Sequence, residues 1–243
     1  MRRLIAALEF LTILPLGKPV LYDPTGMVPF FPLVGIIMGT LLSMFDYTAS
    51  RFWSESVVAV LDVVVLAVLT GGLHLDGLGD SADGLLGHRS KEKALEIMKD
   101  SRIGAMGLLA IVCGLLVKWG GIMSLKTDRH LLLVLVPAYA RSSLLFGIRY
   151  LEYGRPRSGI GQALFENRLG PKSFWGLLIP VTLSYFLGWR GIWLIALFAG
   201  ITAAILFYYQ RRMGCITGDM LGAMAEITES LLFLLVCMGD VVW

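Results

Sequence analysis

Long apolar stretches alternate with short polar connections along most of the chain. Seven of them are each about as long as a helix that crosses a bilayer, which needs roughly 17–25 residues. They lie at residues 30–47, 57–73, 104–124, 131–148, 174–187, 191–209 and 220–238. The pattern predicts an all-α integral membrane protein, a polytopic bundle of about six to seven transmembrane helices. Since these spans leave no room for a separate soluble domain, we expect one membrane-embedded domain over residues 1–243.

The composition excludes a water-soluble globule. Hydrophobic residues make up 56% of the 243 residues and charged residues 16%, with a mean hydropathy of +0.74. Soluble domains have about 25% charged residues. The cysteines Cys113, Cys215 and Cys237 are far apart, which indicates neither a zinc motif nor a disulfide framework.

The N-terminal stretch, residues 1–19, superficially resembles a signal peptide because Arg2 and Arg3 precede apolar residues. Glu9 interrupts the apolar run, and no small-residue cleavage site follows it. We interpret the stretch as a retained amphipathic segment at the membrane interface.

The distribution of lysine and arginine among the loops predicts the orientation. Fifteen of these residues fall on one set of alternate loops and four on the other, while Lys118 and Arg141 lie within spans. Because cytoplasmic loops carry the excess of positive charge, the loops 74–103 and 149–173 are predicted to be cytoplasmic. We therefore expect a cytoplasmic (inner) membrane protein whose site faces the cytoplasm.

Three aspartates follow the second apolar stretch at helical spacing. Asp76, Asp80 and Asp83 fall within an arc of about 60° if the segment is helical. Carboxylates this close repel one another and would protonate beside hydrocarbon unless a cation held them ionised. Oxygen ligands without cysteine favour Mg²⁺ or Mn²⁺, so the three predict a cytoplasmic-side metal site. A glycine-rich turn with solvated aspartates is the alternative, and His74 is predicted to point away as a structural hydrogen-bonding residue.

A second polar cluster, residues 98–107, opens the next predicted span. Asp100 is a candidate fourth carboxylate or general base, and Lys99 and Arg102 are candidates for binding phosphate oxygens. The alternative is that these charged residues only cap the helix at the membrane interface. Arg141 lies inside an apolar stretch, where an arginine is costly, and we favour a phosphate-binding role over snorkelling.

A third cluster precedes and begins the last apolar stretch. Asp219 and Glu226 are seven residues apart and share a helix face, with Asp219 near the N-terminal end where an anion is favoured. We predict Asp219 as a further metal ligand, with helix capping as the alternative. Thr217 and Glu226 are candidate substrate- or phosphate-binding residues. Asp62, within the second stretch, is expected to pair with a polar group of the bundle.

At these residues the sequence resembles the cobalamin-5′-phosphate synthase family, the adenosylcobinamide-GDP ribazoletransferases. The resemblance is carried by residues 71–85, 97–107 and 214–229, including the strings H-x-D-G-x-x-D-x-x-D-G and M-K-D-S-R-I-G. Residues 10–15 and 32–35 fit the same family, so the resemblance runs nearly from end to end.

The resemblance implies the last assembly step of the cobalamin nucleotide loop. Adenosylcobinamide-GDP and α-ribazole, or its 5′-phosphate, would give adenosylcobalamin or its 5′-phosphate and GMP, with Mg²⁺ as cofactor; Mn²⁺ as a substitute follows from the oxygen ligands alone. The chemistry is similar to that of the CDP-alcohol phosphotransferases. Residues 80–84 match the D-x-x-D-G core of those enzymes. The residues that follow this core in the CDP-alcohol phosphotransferases have no counterpart after Gly84 in this chain. Asp83 and Asp100 therefore both remain candidates for the general base.

The expected partners are these small-molecule substrates and membrane lipid, with no nucleic acid; whether the chain forms a homo-oligomer stays open. A polytopic cation or metabolite transporter is the competing hypothesis, because helices with buried acids also describe carriers. The acids here cluster at one membrane face and no two halves of the chain correspond. These features favour the enzyme.

Overall fold

The computed structural model describes residues 2–16, 24–87, 89–155 and 160–238, and the secondary-structure elements within these ranges are helices joined by turns and loops. The α-helices are α1 (Arg2–Leu11), α2 (Pro24–Met27), α3 (Phe31–Ala49), α4 (Glu55–Leu69), α5 (Leu73–Leu85), α6 (Lys91–Ile97), α7 (Ala105–Met123), α8 (Arg129–Tyr150), α9 (Leu178–Leu183), α10 (Trp189–Arg212) and α11 (Gly218–Val236). Short 3₁₀ segments lie at Val28–Phe30, Ile160–Leu164, Pro171–Leu177 and Ser184–Leu187.

The all-helical, polytopic membrane bundle predicted from the hydropathy pattern is confirmed. Four helical segments are long and apolar enough to cross a membrane: Pro24–Ala49, α7, α8 and α10. A fifth span results if α4 and α5 together count as one broken span. The predicted number of six to seven spans is higher because it includes two further apolar stretches, residues 174–187 and 220–238. Residues 174–187 divide into 3₁₀, α and 3₁₀ segments, and α11 contains three acidic residues.

A sharp bend separates α4 from α5. Gly71 and Gly72 have φ values of 59° and 73°, a left-handed conformation that glycine adopts without steric cost. The axes of the two helices therefore differ by 88°. All three aspartates of the 76–83 cluster lie on α5, so their predicted helical register is confirmed.

The core forms where α8 packs against α3 and α11. Close approach of α3 and α8 depends on Gly35 and Gly39, where an added Cβ would lie less than 3 Å from backbone atoms of α8. Small residues allow this backbone contact in membrane bundles. Helix α11 also contacts α5, α7 and α10, which places its N-terminus beside α5.

The N-terminal helix α1 is amphipathic, as predicted. Ala6, Ala7, Leu8 and Leu11 are buried against the bundle, whereas its arginines are exposed. Its place at a membrane interface stays a prediction, and residues 1 and 17–19 of the predicted segment lie outside the described residues.

The charged residues of the loops lie at the two opposite ends of the bundle. At one end Arg155 donates to the carbonyl of Met98, and Arg212 donates to the carbonyl of Gly87. At the other end Lys126 pairs with Glu55. The predicted grouping of the loops therefore agrees with the fold, whereas the side of the membrane that each end faces stays a prediction.

Candidate active site

The acidic residues of α5 lie beside the N-terminus of α11 because two glycines bring the helix backbones together. A Cβ added at Gly77 would lie 2.6 Å from the backbone oxygen of Asp219, and one added at Gly222 would lie 3.3 Å from the Cα of His74. Asp76 and Asp80 of α5 thus share one site with Asp219 of α11.

The carboxyl groups of Asp76 and Asp80 form no direct pair with a basic side chain among the described residues. Asp76 is exposed and Asp80 half-buried, and among the described residues neither carboxylate has a hydrogen-bond or ion-pair partner. The charges of Asp76, Asp219 and Asp83 repel that of Asp80, and Arg155 opposes them. Such a cluster favours a bound cation or a proton.

Asp83, from the same face of α5, caps the N-terminus of α7. Its two carboxylate oxygens accept hydrogen bonds from the backbone N–H groups of Gly104 at 2.6 Å and Gly107 at 2.9 Å. An anion at this position satisfies otherwise unpaired donors and interacts favourably with the helix dipole. The contacts join α5 to α7; metal binding or base catalysis by Asp83 stays a prediction.

Asp219 forms an ion pair with Arg155, which also donates to the carbonyl of Met98 at 3.0 Å. Thr217 is the N-cap of α11, and its hydroxyl accepts a hydrogen bond from the N–H of Met220 at 3.2 Å. The N-cap of α11 is therefore Thr217 and not Asp219, the residue for which capping was the alternative. Its predicted role toward substrate stays untested.

The second polar cluster forms an exposed turn between α6 and α7. Arg102 donates to both oxygens of Asp100, at 2.9 and 2.6 Å. These bonds lower the pKa of Asp100 to about 2, so its carboxylate is ionised at neutral pH and is a weak base. Lys99 is exposed next to this pair, so Lys99 and Arg102 are both accessible to an anionic substrate.

Four charged side chains form a neutral cluster inside the bundle, between α7, α8 and α11. Lys118 donates to Glu226 at 2.6 Å and to Glu229 at 2.7 Å, and Arg141 donates to Glu229. All four side chains are buried. Arg141 and Glu226, predicted as substrate- or phosphate-binding residues, thus contact protein partners of opposite charge, and a role toward substrate stays a prediction.

A cavity of about 380 Å³ lies between α1, α5 and α11, and Asp76, Asp219 and His74 are among the residues that line it. His74 is buried, and its Nδ1 has no hydrogen-bond partner among the described residues. The hydrogen-bonding role predicted for His74 is therefore not seen at this nitrogen. Asp62, by contrast, pairs with Arg129 at 3.2 Å, as predicted.

Comparison with known proteins identifies the family. The family model described as Cobalamin-5-phosphate synthase matches residues 3–238. The chain belongs to the cobalamin-5-phosphate synthase family. The resemblance stated from the motifs is thereby confirmed.

Relatives in this family match the chain over nearly its whole length. The adenosylcobinamide-GDP ribazoletransferase of Alkaliphilus metalliredigens is 38% identical over 98% of this chain and 97% of its own length. Proteins of the same name from Desulfitobacterium hafniense and Acetivibrio thermocellus are 38% and 33% identical, over 97% of this chain in each case. No solved structure matches. The transporter alternative finds no support in these comparisons.

The sequence analysis gave no site role to three charged residues that form ion pairs in the structure. Arg155 was counted only as a loop charge, although it pairs with Asp219. Lys118 and Glu229 received no role, although they pair with each other in the buried cluster. The position of Lys118 and Glu229 inside apolar stretches was the available signal, because buried charges are almost always paired.

The predicted metal site is not confirmed. Throughout residues 2–16, 24–87, 89–155 and 160–238, no three His, Cys, Asp or Glu side chains are grouped so as to hold a metal ion. The donor set still fits a hard cation, because Asp76 and Asp80 offer carboxylate oxygens with no donor bound to them in the described part of the chain. Mg²⁺ or Mn²⁺ binding stays a prediction.

Proposed function

We propose that this chain transfers the phosphocobinamide moiety of adenosylcobinamide-GDP to the ribose 3′-hydroxyl of α-ribazole or α-ribazole 5′-phosphate, releasing GMP. The observation that carries the proposal is membership of the cobalamin-5-phosphate synthase family over residues 3–238. Asp76, Asp80 and Asp219, which lie in segments that carried the resemblance, come together at one end of the bundle, which supports a single active site there.

The transfer forms one phosphorus–oxygen bond and breaks another. The 3′-oxygen of ribazole attacks the phosphorus attached to the cobinamide arm, and the bond from that phosphorus to the bridging oxygen of GMP breaks. The hydroxyl proton passes to a carboxylate. Asp83 and Asp100 are the candidates for this carboxylate, and Arg102 makes Asp100 a weak base because it holds the pKa of Asp100 at about 2.

We assign Asp76, Asp80 and Asp219 as the residues that would hold Mg²⁺, which requires their side chains to turn toward one ion, since no three donors are grouped for a metal among the described residues. When bound, this ion would neutralise charge on the phosphoryl oxygens. Arg155, already beside Asp219, and the exposed Lys99 are placed to attract the phosphates of the nucleotide. We further propose that this end of the bundle faces the cytoplasm, since the excess of positively charged loops lies there.

The test is a transfer assay with the purified chain in lipid nanodiscs. Adenosylcobinamide-GDP and α-ribazole with Mg²⁺ should give equimolar GMP and cobalamin, and EDTA should stop the reaction. Absence of both products with a correctly folded protein would refute the proposed activity. Persistence of turnover in EDTA would refute only the metal assignment.

Stereochemistry tests the direct displacement. With a chiral phosphorothioate at the transferred phosphorus, one in-line step predicts inversion, and no GMP should be released until ribazole is added. Retention, or a stoichiometric burst of GMP from enzyme and adenosylcobinamide-GDP alone, would show a covalent phosphoryl-enzyme instead.

A further inference from the structure

A second, polar cavity of about 620 Å³ lies between the segment after α8 and the C-terminal end of α10. Its lining includes three arginines, two aromatic residues and an acid: Arg149, Arg155, Arg168, Tyr153, Phe165 and Glu166. We infer that this cavity binds the guanosine diphosphate half of adenosylcobinamide-GDP, an inference that rests on the proposed function.

The cavity is connected to the acidic site through Arg155. This arginine lines the cavity and at the same time pairs with Asp219, and its Nε is buried with no partner among the described residues. A phosphate between the two sites would find a donor in Arg155. The scissile pyrophosphate can therefore lie at Arg155 while the nucleoside extends into the cavity.

The cavity wall is held in place by backbone hydrogen bonds. The N–H of Gly154 donates to the carbonyl of Ile216 at 2.8 Å, and the N–H of Ile216 donates to the carbonyl of Glu152 at 2.9 Å. These bonds fix Tyr153 and Arg155 relative to the start of α11. The cavity and the acidic cluster thus form one preorganised surface.

The lining suits a guanine nucleotide. Arginines pair with phosphate, and the rings of Tyr153 and Phe165, whose centroids are 5.1 Å apart, offer aromatic surface for a purine. Guanine presents adjacent N1–H and N2–H donors to a carboxylate such as Glu166, whereas adenine has an acceptor at N1. The base of α-ribazole has no such donors, so the carboxylate favours guanine over the second substrate. The volume lies within the usual range for small-ligand sites, roughly 300–1,000 Å³.

The first experiment measures binding of GDP alone to the purified full chain in nanodiscs. Arg168→Ala should weaken GDP binding about 10- to 100-fold, the usual loss for a charge-assisted hydrogen bond. Its side chain is 79% exposed, so the substitution leaves the core intact. Arg211→Ala, an exposed arginine that does not line the cavity, is the matched control and should bind GDP like the wild type.

Base specificity is tested in the same assay. ADP should bind at least about tenfold more weakly than GDP, and Glu166→Gln should reduce that preference. Equal affinity for GDP and ADP, or equal GDP affinity in Arg168→Ala and the wild type, would overturn the inference.

Kinetics separate this inference from the proposed function. Arg168→Ala should raise the KM for adenosylcobinamide-GDP and leave the KM for α-ribazole unchanged. Two results would show that the cavity does not hold the nucleotide: a rise in the KM for α-ribazole instead, or a wild type that catalyses the transfer but does not bind GDP. Neither result would refute the proposed activity. Absence of turnover in the wild type, by contrast, refutes the proposed function itself.

Discussion

Asp80 and Asp83 lie three positions apart on α5 and differ in what their carboxylates contact. Among the described residues Asp80 has no hydrogen-bond donor and is repelled by neighbouring acids. We therefore expect Asp80→Asn to abolish transfer activity while leaving the melting temperature in EDTA unchanged or higher, because the substitution removes repulsion and no bond. A thermal melt and a GMP assay on the same preparation check both expectations. A lower melting temperature would show that the carboxylate stabilises the fold.

The carboxylate of Asp83, unlike that of Asp80, is hydrogen-bonded. Both of its oxygens accept hydrogen bonds from backbone N–H groups at the start of α7. Asp83→Asn should lower the free energy of unfolding by about 1–3 kcal/mol, because an amide nitrogen would face a backbone donor. Thermal denaturation in EDTA, compared with Asp80→Asn, measures this. Equal stability of the two variants would contradict the capping role.

Removing the charge of one acid in the buried cluster should lower the free energy of unfolding more than removing the charge of a surface acid. Glu229→Gln leaves Lys118 and Arg141 buried with one carboxylate between them, and should destabilise the fold by roughly 3–5 kcal/mol. Glu55→Gln breaks the exposed pair with Lys126 and should cost less than about 1 kcal/mol. Unfolding of both variants in the same detergent provides the comparison, and similar losses would show that the buried cluster contributes no more than the surface pair.

At the scale of elements, the contact between α5 and α11 depends on the absence of a side chain at Gly77. An added Cβ would lie 2.6 Å from the backbone oxygen of Asp219, so Gly77→Ala must displace one helix and the acids with it. We expect at least about a hundredfold loss of transfer activity, since misplacement by about 1 Å has effects of that size. Gly200→Ala in α10 has no atom within 4 Å of the added Cβ and should retain activity. An active Gly77→Ala variant would show that the helices tolerate the displacement.

How far the sequence predicts these elements depends on whether their signal is local. The aspartate spacing predicted a helix over 76–83, and the apolar stretches predicted α3, α7, α8 and α10, because periodicity and length are properties of one segment. The 88° bend after α4 and the Arg155–Asp219 pair were not predicted. Both depend on backbone conformation or on contacts between distant segments, which spacing does not encode.

At the scale of the whole molecule, the bundle has two chemically different ends. The acidic site, Arg155 and the polar cavity lie at the end that gathers the loops after α5, α8 and α10, and Lys126 pairs with Glu55 at the other end. Since a nucleotide-linked substrate and α-ribazole are water-soluble, a site at one end lets both enter from a single compartment. The fold therefore ties the proposed reaction to the orientation of the chain in the membrane.

That orientation can be tested by labelling single cysteines in intact cells. In a background without Cys113, Cys215 and Cys237, Ser90→Cys reports on the end with the acidic site, and Thr127→Cys on the opposite end; both positions are exposed. Because the excess of positively charged loops is expected in the cytoplasm, a membrane-impermeant thiol reagent should label Thr127→Cys from outside and Ser90→Cys only after permeabilisation. Retained transfer activity of both variants is the control for folding. The reverse labelling pattern would place the acidic site outside the cytoplasm and would require its substrates to be supplied there.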